Sequence, residues 1–244
     1  MKTGKPAFVL VHGAFHGGWC WAQVEAVLRA AGHRVLAPSL TGLGDRAHLF
    51  GAQVSLATHV DDIARLIEWE SLDGCVLVGH SYGGNVLTGV ADRLRERIGQ
   101  YVYLDAVVPP DDATRWRWAD FNSEEDREAR LLTIAAHGAG VALPAPPPVV
   151  FGIFDPDQQL RVRERLTPMP LGTYLGEIAL ERGGSQGLRR SYIAAIDPLY
   201  PSMAATHSRL REDPSWQFRT IETGHDAMIT APERLAELLL DLTR

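Results

Sequence analysis

Cys75-Val76-Leu77-Val78-Gly79-His80-Ser81-Tyr82-Gly83-Gly84 decides the reading of this chain. The first four residues are a continuous apolar run, the pattern of a short strand buried on both faces. Residues 85–97 follow with helical spacing and stop at Gly99. Between the two lies G-x-S-x-G, in which a sharp strand-to-helix turn lifts a serine hydroxyl above the sheet edge. Small residues flank that serine because bulkier ones clash in the turn. The bare pattern is weak, since the chain contains it twice, the second time as Gly183-Gly184-Ser185-Gln186-Gly187. Context separates the two. Ser81 has a strand before it and a helix after it. Ser185 follows a weakly patterned segment and precedes Arg189-Arg190 and a strand, so it reads as a loop serine.

Outward from this stretch, Ala7-Phe8-Val9-Leu10-Val11, Arg34-Val35-Leu36-Ala37 and Tyr101-Val102-Tyr103-Leu104 are further short apolar strands. Between them lie a helical pattern at 19–31, ended by Gly32, and a helix capped by Ser55. The second helix carries Val60, Ile63, Ala64 and Ile67 on one face. Strand and helix alternating at this rhythm specify an α/β fold, a mostly parallel central sheet with helices on both faces. The rhythm breaks after Pro109-Pro110, and residues 110–188 are mixed and loop-rich, with Glu124-Glu125-Asp126 and a Pro-rich run from Pro144 to Pro148. It resumes with Tyr192-Ile193-Ala194-Ala195-Ile196, a helix at 203–211, a strand at 216–221 and an amphipathic helix at 231–242. The expectation is a single domain over 1–244 with a cap inserted at 110–188.

Composition narrows the function classes. The chain has 244 residues, 45% hydrophobic and 22% charged, enough apolar material for a core without a metal or disulfide staple. Lys plus Arg number 24 against 30 Asp plus Glu, a net charge of −6, which argues against nucleic acid as a partner. No run approaches the ~20 apolar residues of a membrane span. The N-terminal stretch has no signal-peptide core, and Cys20 and Cys75 do not make a disulfide scaffold, so a cytoplasmic protein with reduced thiols is expected. Gly42-x-Gly44-x-x-Ala47 imitates a dinucleotide fingerprint but follows the second strand and opens no helix. His12 and His16 share a loop with no third ligand. Neither a cofactor nor a metal is expected. The expected partner is a small molecule, with a homodimer left open.

A serine nucleophile needs a base, and the base needs a carboxylate to orient it. In sites built on such an elbow the chain order is serine, acid, histidine. Of the histidines after Ser81, His137 falls in the insertion and His207 in a helix. His225 lies in Thr223-Gly224-His225-Asp226, between the last strand and the last helix, and is the expected base. The acid should end a strand at the carboxyl edge of the sheet. Asp197 ends residues 192–196 and is the expected acid; Asp105, which ends 101–104, is the alternative. The oxyanion formed on acyl attack needs N–H donors, expected from Tyr82 and from Ala14 in the His12-Gly13-Ala14-Phe15 loop. His16 is expected at the mouth of the site. Phe15, Trp116, Phe154 and Tyr174, with Trp118, Phe121, Phe151 and Met169, are candidates for lining an apolar pocket.

These residues resemble the α/β-hydrolase superfamily, and within it the plant methylesterases, salicylate-binding esterases and hydroxynitrile lyases with their bacterial esterase relatives. The likeness runs through residues 8–21 (Phe8-Val9-Leu10-Val11-His12-Gly13-Ala14-Phe15-His16-Gly17-Gly18-Trp19-Cys20-Trp21), Ala37-Pro38-Ser39-Leu40-Thr41-Gly42-Leu43-Gly44, Val78-Gly79-His80-Ser81-Tyr82-Gly83-Gly84 and Gly224-His225-Asp226-Ala227-Met228. The resemblance implies the α/β-hydrolase fold and hydrolysis of carboxylic esters of small aromatic or apolar substrates through an acyl-enzyme, without a cofactor. It places the acid at the spacing from the base that Asp197 has. Lyases of the group rely on a hydroxyl residue where this chain has Gly13 and on a lysine where it has Asp226, so the esterase branch fits better. Arg46-Ala47-His48-Leu49 is similar to bacterial hydrolases of aromatic esters and carbamates, which makes carbamate or amide cleavage the alternative chemistry. A small-molecule receptor built on the same fold is the alternative outside enzymes.

Overall fold

The structure, a computed structural model, describes residues 4–243. In chain order β1 (Phe8–Val11), α1 (Ala22–Ala30), β2 (Val35–Leu36), α2 (Leu56–Trp69), β3 (Cys75–His80), α3 (Gly83–Leu94) and β4 (Ile98–Leu104) alternate. After 105 come β5 (Arg115–Trp116), α4 (Glu124–His137), β6 (Ala142–Leu143), α5 (Pro156–Arg163), β7 (Met169–Pro170), α6 (Leu171–Leu175) and β8 (Ile178–Ala179), all but α4 short. The alternation resumes with β9 (Arg190–Ala195), α7 (Ala204–Glu212), β10 (Gln217–Ile221), α8 (Ala227–Thr230) and α9 (Pro232–Asp241). The helical pattern at 19–31 divides into a 3₁₀ turn, Gly18–Trp21, and α1.

Six strands form one parallel sheet in the order β10-β9-β4-β3-β1-β2. Burial on both faces explains why its strands are apolar throughout and not alternating. Val9, Val11 and Leu77 pack toward α2 and α3, while Phe8, Leu10, Val76 and Val78 pack toward α1 and α9. Ser55 caps α2 reciprocally with Thr58, and the helix buries Leu56, Val60, Ile63, Ala64 and Ile67 on one face. Among the described residues no helix is long and apolar enough to cross a membrane.

The second G-x-S-x-G is a structural loop. The Asp92 carboxylate accepts hydrogen bonds from the amides of Glu181 (3.0 Å), Arg182 (2.7 Å) and Gly184 (2.9 Å). The buried Ser185 hydroxyl accepts from Tyr103 at 2.9 Å. Its donors and acceptors serve to tie residues 181–187 to α3 and β4.

Candidate active site

β3 delivers Ser81 to the carboxyl edge of the sheet. The turn after it is tight: Ser81 sits at φ +51°, and a Cβ on residue 83 would lie 2.8 Å from the Val11 carbonyl oxygen of β1. Only glycine allows that approach. A Cβ on residue 13 would meet the His80 ring at 2.8 Å and Ser81 Cβ at 3.0 Å, so the β1 loop runs directly against the elbow. Phe15 (φ +69°) and Asp105 (φ +40°) also occupy the left-handed region, concentrating backbone strain where three strand ends converge.

The Ser81 hydroxyl donates to His225 Nε2 at 2.9 Å, and His225 Nδ1–H donates to Asp105 Oδ2 at 2.6 Å. The carboxylate at His225 is therefore that of Asp105, and the expectation of Asp197 is corrected. Asp105 ends β4, the strand beside β3, and its amide bonds the Ile193 carbonyl at 2.7 Å. Its Oδ1 accepts from the Ala195 amide at 3.2 Å, where β9 ends. The chain then turns away through an Ile196–Leu199 bridge, leaving Asp197 exposed. Ser81 and Asp105 are consecutive along the sheet edge: the Ser81 amide bonds the Leu104 carbonyl at 3.1 Å.

Asp105 also accepts from a second imidazole, His207 Nε2, at 2.6 Å to Oδ1. Burial alone would raise the Asp105 pKa, but the hydrogen bonds from His207 and His225 outweigh it and hold the carboxyl below its usual range. Tyr200 stacks on the His225 ring at 4.2 Å, and His80 Nε2–H donates to the His225 carbonyl at 3.0 Å, fixing the base from two sides.

Asp226 points away from the base and pairs with His16 Nε2 at 3.0 Å. His16 Nδ1 faces the Ala14 carbonyl at 2.8 Å. Both partners are acceptors, so both ring nitrogens carry protons and His16 is an imidazolium. Burial opposes that charge, but the Asp226 carboxylate prevails and the His16 pKa is raised. The pair anchors the loop that holds Ala14. His12 braces the same loop, donating from Nδ1 to the Gly13 carbonyl (2.8 Å) and accepting the Leu40 amide on Nε2 (3.0 Å). Tyr82 is pinned by its hydroxyl, which donates to His59 Nδ1 at 2.9 Å. Among the described residues neither the Ala14 nor the Tyr82 amide has an acceptor.

A cavity of about 310 Å³ opens onto Ser81 and His225. Phe15 and His16 line it. Trp116, Phe154 and Tyr174 do not. The Trp116 indole N–H is committed to Asn85 Oδ1 (2.7 Å), the Tyr174 hydroxyl donates to Asn122 Oδ1 (3.0 Å), and Phe154 is 60% exposed. Of the other candidates Trp118, Phe121 and Phe151 line it and Met169 does not, and Leu143 and Met203 complete the apolar wall. His207, the His16–Asp226 pair and Tyr200 carry no signature in the sequence, since each acts through a partner distant in the chain. Among the described residues no group of three or more His, Cys, Asp or Glu is arranged to hold a metal ion.

Comparison with known proteins agrees with this architecture. The model of the α/β hydrolase family matches residues 8–238. A carbendazim hydrolyzing esterase of Nocardioides sp. (strain SG-4G) is 42% identical over 239 residues, 96% of this chain and 98% of the relative. Salicylic acid-binding protein 2 of Nicotiana tabacum is 39% identical over 110 residues, 45% of this chain and 42% of the relative. An extracellular α/β-hydrolase from a Paenibacillus species superposes with a TM-score of 0.83 at 22% identity, covering 98% of this chain and 99% of that one. With most of its length matched by the family model and by a relative of this identity, the chain belongs to the α/β hydrolase family.

Proposed function

We propose that the protein hydrolyses carboxylic esters of small aromatic or apolar substrates through an acyl-serine intermediate. The observation that carries the reading is the hydrogen-bonded series Ser81, His225, Asp105 at the mouth of an apolar cavity. As Ser81 Oγ attacks the ester carbon, its proton passes to His225 Nε2. The carbonyl π pair moves to oxygen, where the Ala14 and Tyr82 amides stabilise it. Asp105 orients His225 and stabilises the imidazolium. Collapse breaks the C–O bond to the alcohol, which leaves with the Nε2 proton. Water then gives its proton to His225 as its oxygen attacks the acyl carbon, and Ser81 leaves reprotonated. The imidazolium of His16 stays paired with Asp226 and takes no part in the proton transfers.

The Nocardioides relative, named for hydrolysing carbendazim, favours carbamate cleavage by the same steps as the second reading. Both cysteines are free and buried, which supports a reducing, cytoplasmic setting. A panel of p-nitrophenyl esters and aryl carbamates, with a serine-directed phosphonate, tests the proposal. A burst of nitrophenol and phosphonate labelling of Ser81 are expected. Tight binding of the panel with neither burst nor label would make the protein a receptor.

A further inference from the structure

The charges around the cavity are unevenly balanced. At the sheet edge the imidazolium of His16 is neutralised by Asp226 at 3.0 Å, and the Asp105 carboxylate is engaged by the His225 and His207 rings, each at 2.6 Å. The opposite wall comes from the inserted segment, where α4 turns Arg130 and, one turn on, Thr133 to the cavity. Arg130 is the one Lys or Arg among the described lining residues. Its guanidinium sits in a corner of two perpendicular rings, 5.4 Å from the Trp118 centroid and 5.7 Å from that of Tyr174. Those contacts engage the cation electrostatically and leave its planar N–H donors uncommitted. Among the described residues it has neither a hydrogen-bond acceptor nor a carboxylate within 4 Å, although Glu124, Glu125, Asp126 and Glu128 stand on the same helix. The neighbouring Arg127, by contrast, is paired with Glu124 at 3.9 Å.

We infer that Arg130 is an anion-accepting specificity residue, selecting esters whose aromatic or apolar body spans the cavity from Ser81 and ends in a carboxylate or a comparable acceptor. This rests on the ester-hydrolase reading above and names its substrate class. An apolar body is demanded by Trp118, Phe121, Leu143 and Phe151. A terminal acceptor suits a guanidinium that two rings hold at the cavity wall and whose N–H donors meet no acceptor among the described residues. A fork of N–H donors suits the two oxygens of a carboxylate. Because Arg130 is half-buried and not sealed from water, the preference weakens as salt is raised.

Two matched substrate pairs test this: phenyl acetate against 4-acetoxybenzoate, with the charge on the alcohol side, and methyl benzoate against monomethyl terephthalate, with the charge on the acyl side. In at least one pair the charged member should show a kcat/KM at least about tenfold higher, the scale of one charge-assisted contact at a partly exposed site. Arg130→Gln should abolish that preference, read as the ratio of kcat/KM between the two members of the pair, and Arg130→Lys should keep part of it. No preference in either pair, or one that survives Arg130→Gln, overturns the inference. Binding of monomethyl terephthalate to the Ser81→Ala protein reads the same subsite without chemistry; there Arg130→Gln should raise Kd about tenfold, and an unchanged Kd overturns it as well. Failure of the wild type to turn over any neutral ester would instead strike the ester-hydrolase reading and leave the binding result to decide Arg130.

Discussion

At Asp105 one buried carboxylate serves two imidazoles, and its removal should separate two roles that Asp197 cannot fill. Asp105→Asn should lower kcat by about 10⁴, because the His225 tautomer is no longer enforced. Asp197→Asn, on an exposed turn, should leave kcat within about twofold, as for other surface substitutions. Steady-state kinetics on one activated ester measures both, and equal losses would return the acid role to Asp197. Ser81→Ala sets the floor at about 10⁶ below wild type. His207→Phe removes one of the two imidazole donors to Asp105, so it should cost about 1.5–3 kcal/mol of stability and lower kcat with KM unchanged. His207→Gln keeps a donor and should restore part of each. The sequence made Ser81 and His225 readable because an elbow and a strand-to-helix loop are local patterns. It could not rank Asp105 above Asp197, because both end strands. The difference lies in where those strands stand in the sheet, and in a histidine whose only link to the acid is through space.

The strands and helices of the sheet were legible for the reason that their burial is regular: apolar runs for the doubly covered strands, helical spacing for α2 and α3, a serine where α2 begins. Between 105 and 189 the strands are too short to carry a period, and the one long helix, α4, buries only Ile134. Four strands there have two residues each, so which aromatic faces inward depends on partners such as Asn85 and Asn122. That is why Trp116 and Tyr174 were expected at the cavity and instead brace the elements around it. The 181–187 loop was correctly read as structural, and it predicts a clean separation of stability from activity. Asp92→Ala strips acceptors from three amides and should cost roughly 2–4 kcal/mol. At this chain length each kcal/mol lowers Tm by about 2–4 °C. Ser185→Ala loses one hydrogen bond with Tyr103 and should cost about 1 kcal/mol. In both variants kcat should hold, read by thermal denaturation beside an esterase assay; a large kcat loss in Ser185→Ala would give the second motif a catalytic part.

Across the whole molecule, three of the histidines that brace the site, His12, His59 and His80, are kept uncharged by folding, and this fixes how the protein responds to acid. Burial drives His12 and His80 down to about 3 and His59 down to about 4. Each is neutral in the fold and binds a proton on unfolding once pH drops below 6.5. The unfolded chain then holds more protons, so stability falls as pH falls, by up to about 1.4 kcal/mol per pH unit for each such ring. Asp105 and Asp226 have lowered pKa values and act in the same direction at lower pH: their contribution is complete above the ordinary carboxylate range and is lost as pH falls through the folded values. His16 has the opposite sign. Its pKa is raised, so its pairing with Asp226 contributes fully below 6.5 and is lost as pH rises through the folded value. Tm should therefore peak near neutrality, fall steeply from pH 6.5 toward 4, and decline more gently on the alkaline side. His59→Gln can still donate to the Thr41 carbonyl and accept from Tyr82, without a ring that titrates. It should flatten the acid slope by about one proton while leaving the neutral Tm close to wild type. A Tm that stays level between pH 6.5 and 5 would mean that these rings are not held neutral, and with them the bracing of the Ala14 loop and Tyr82 would fall.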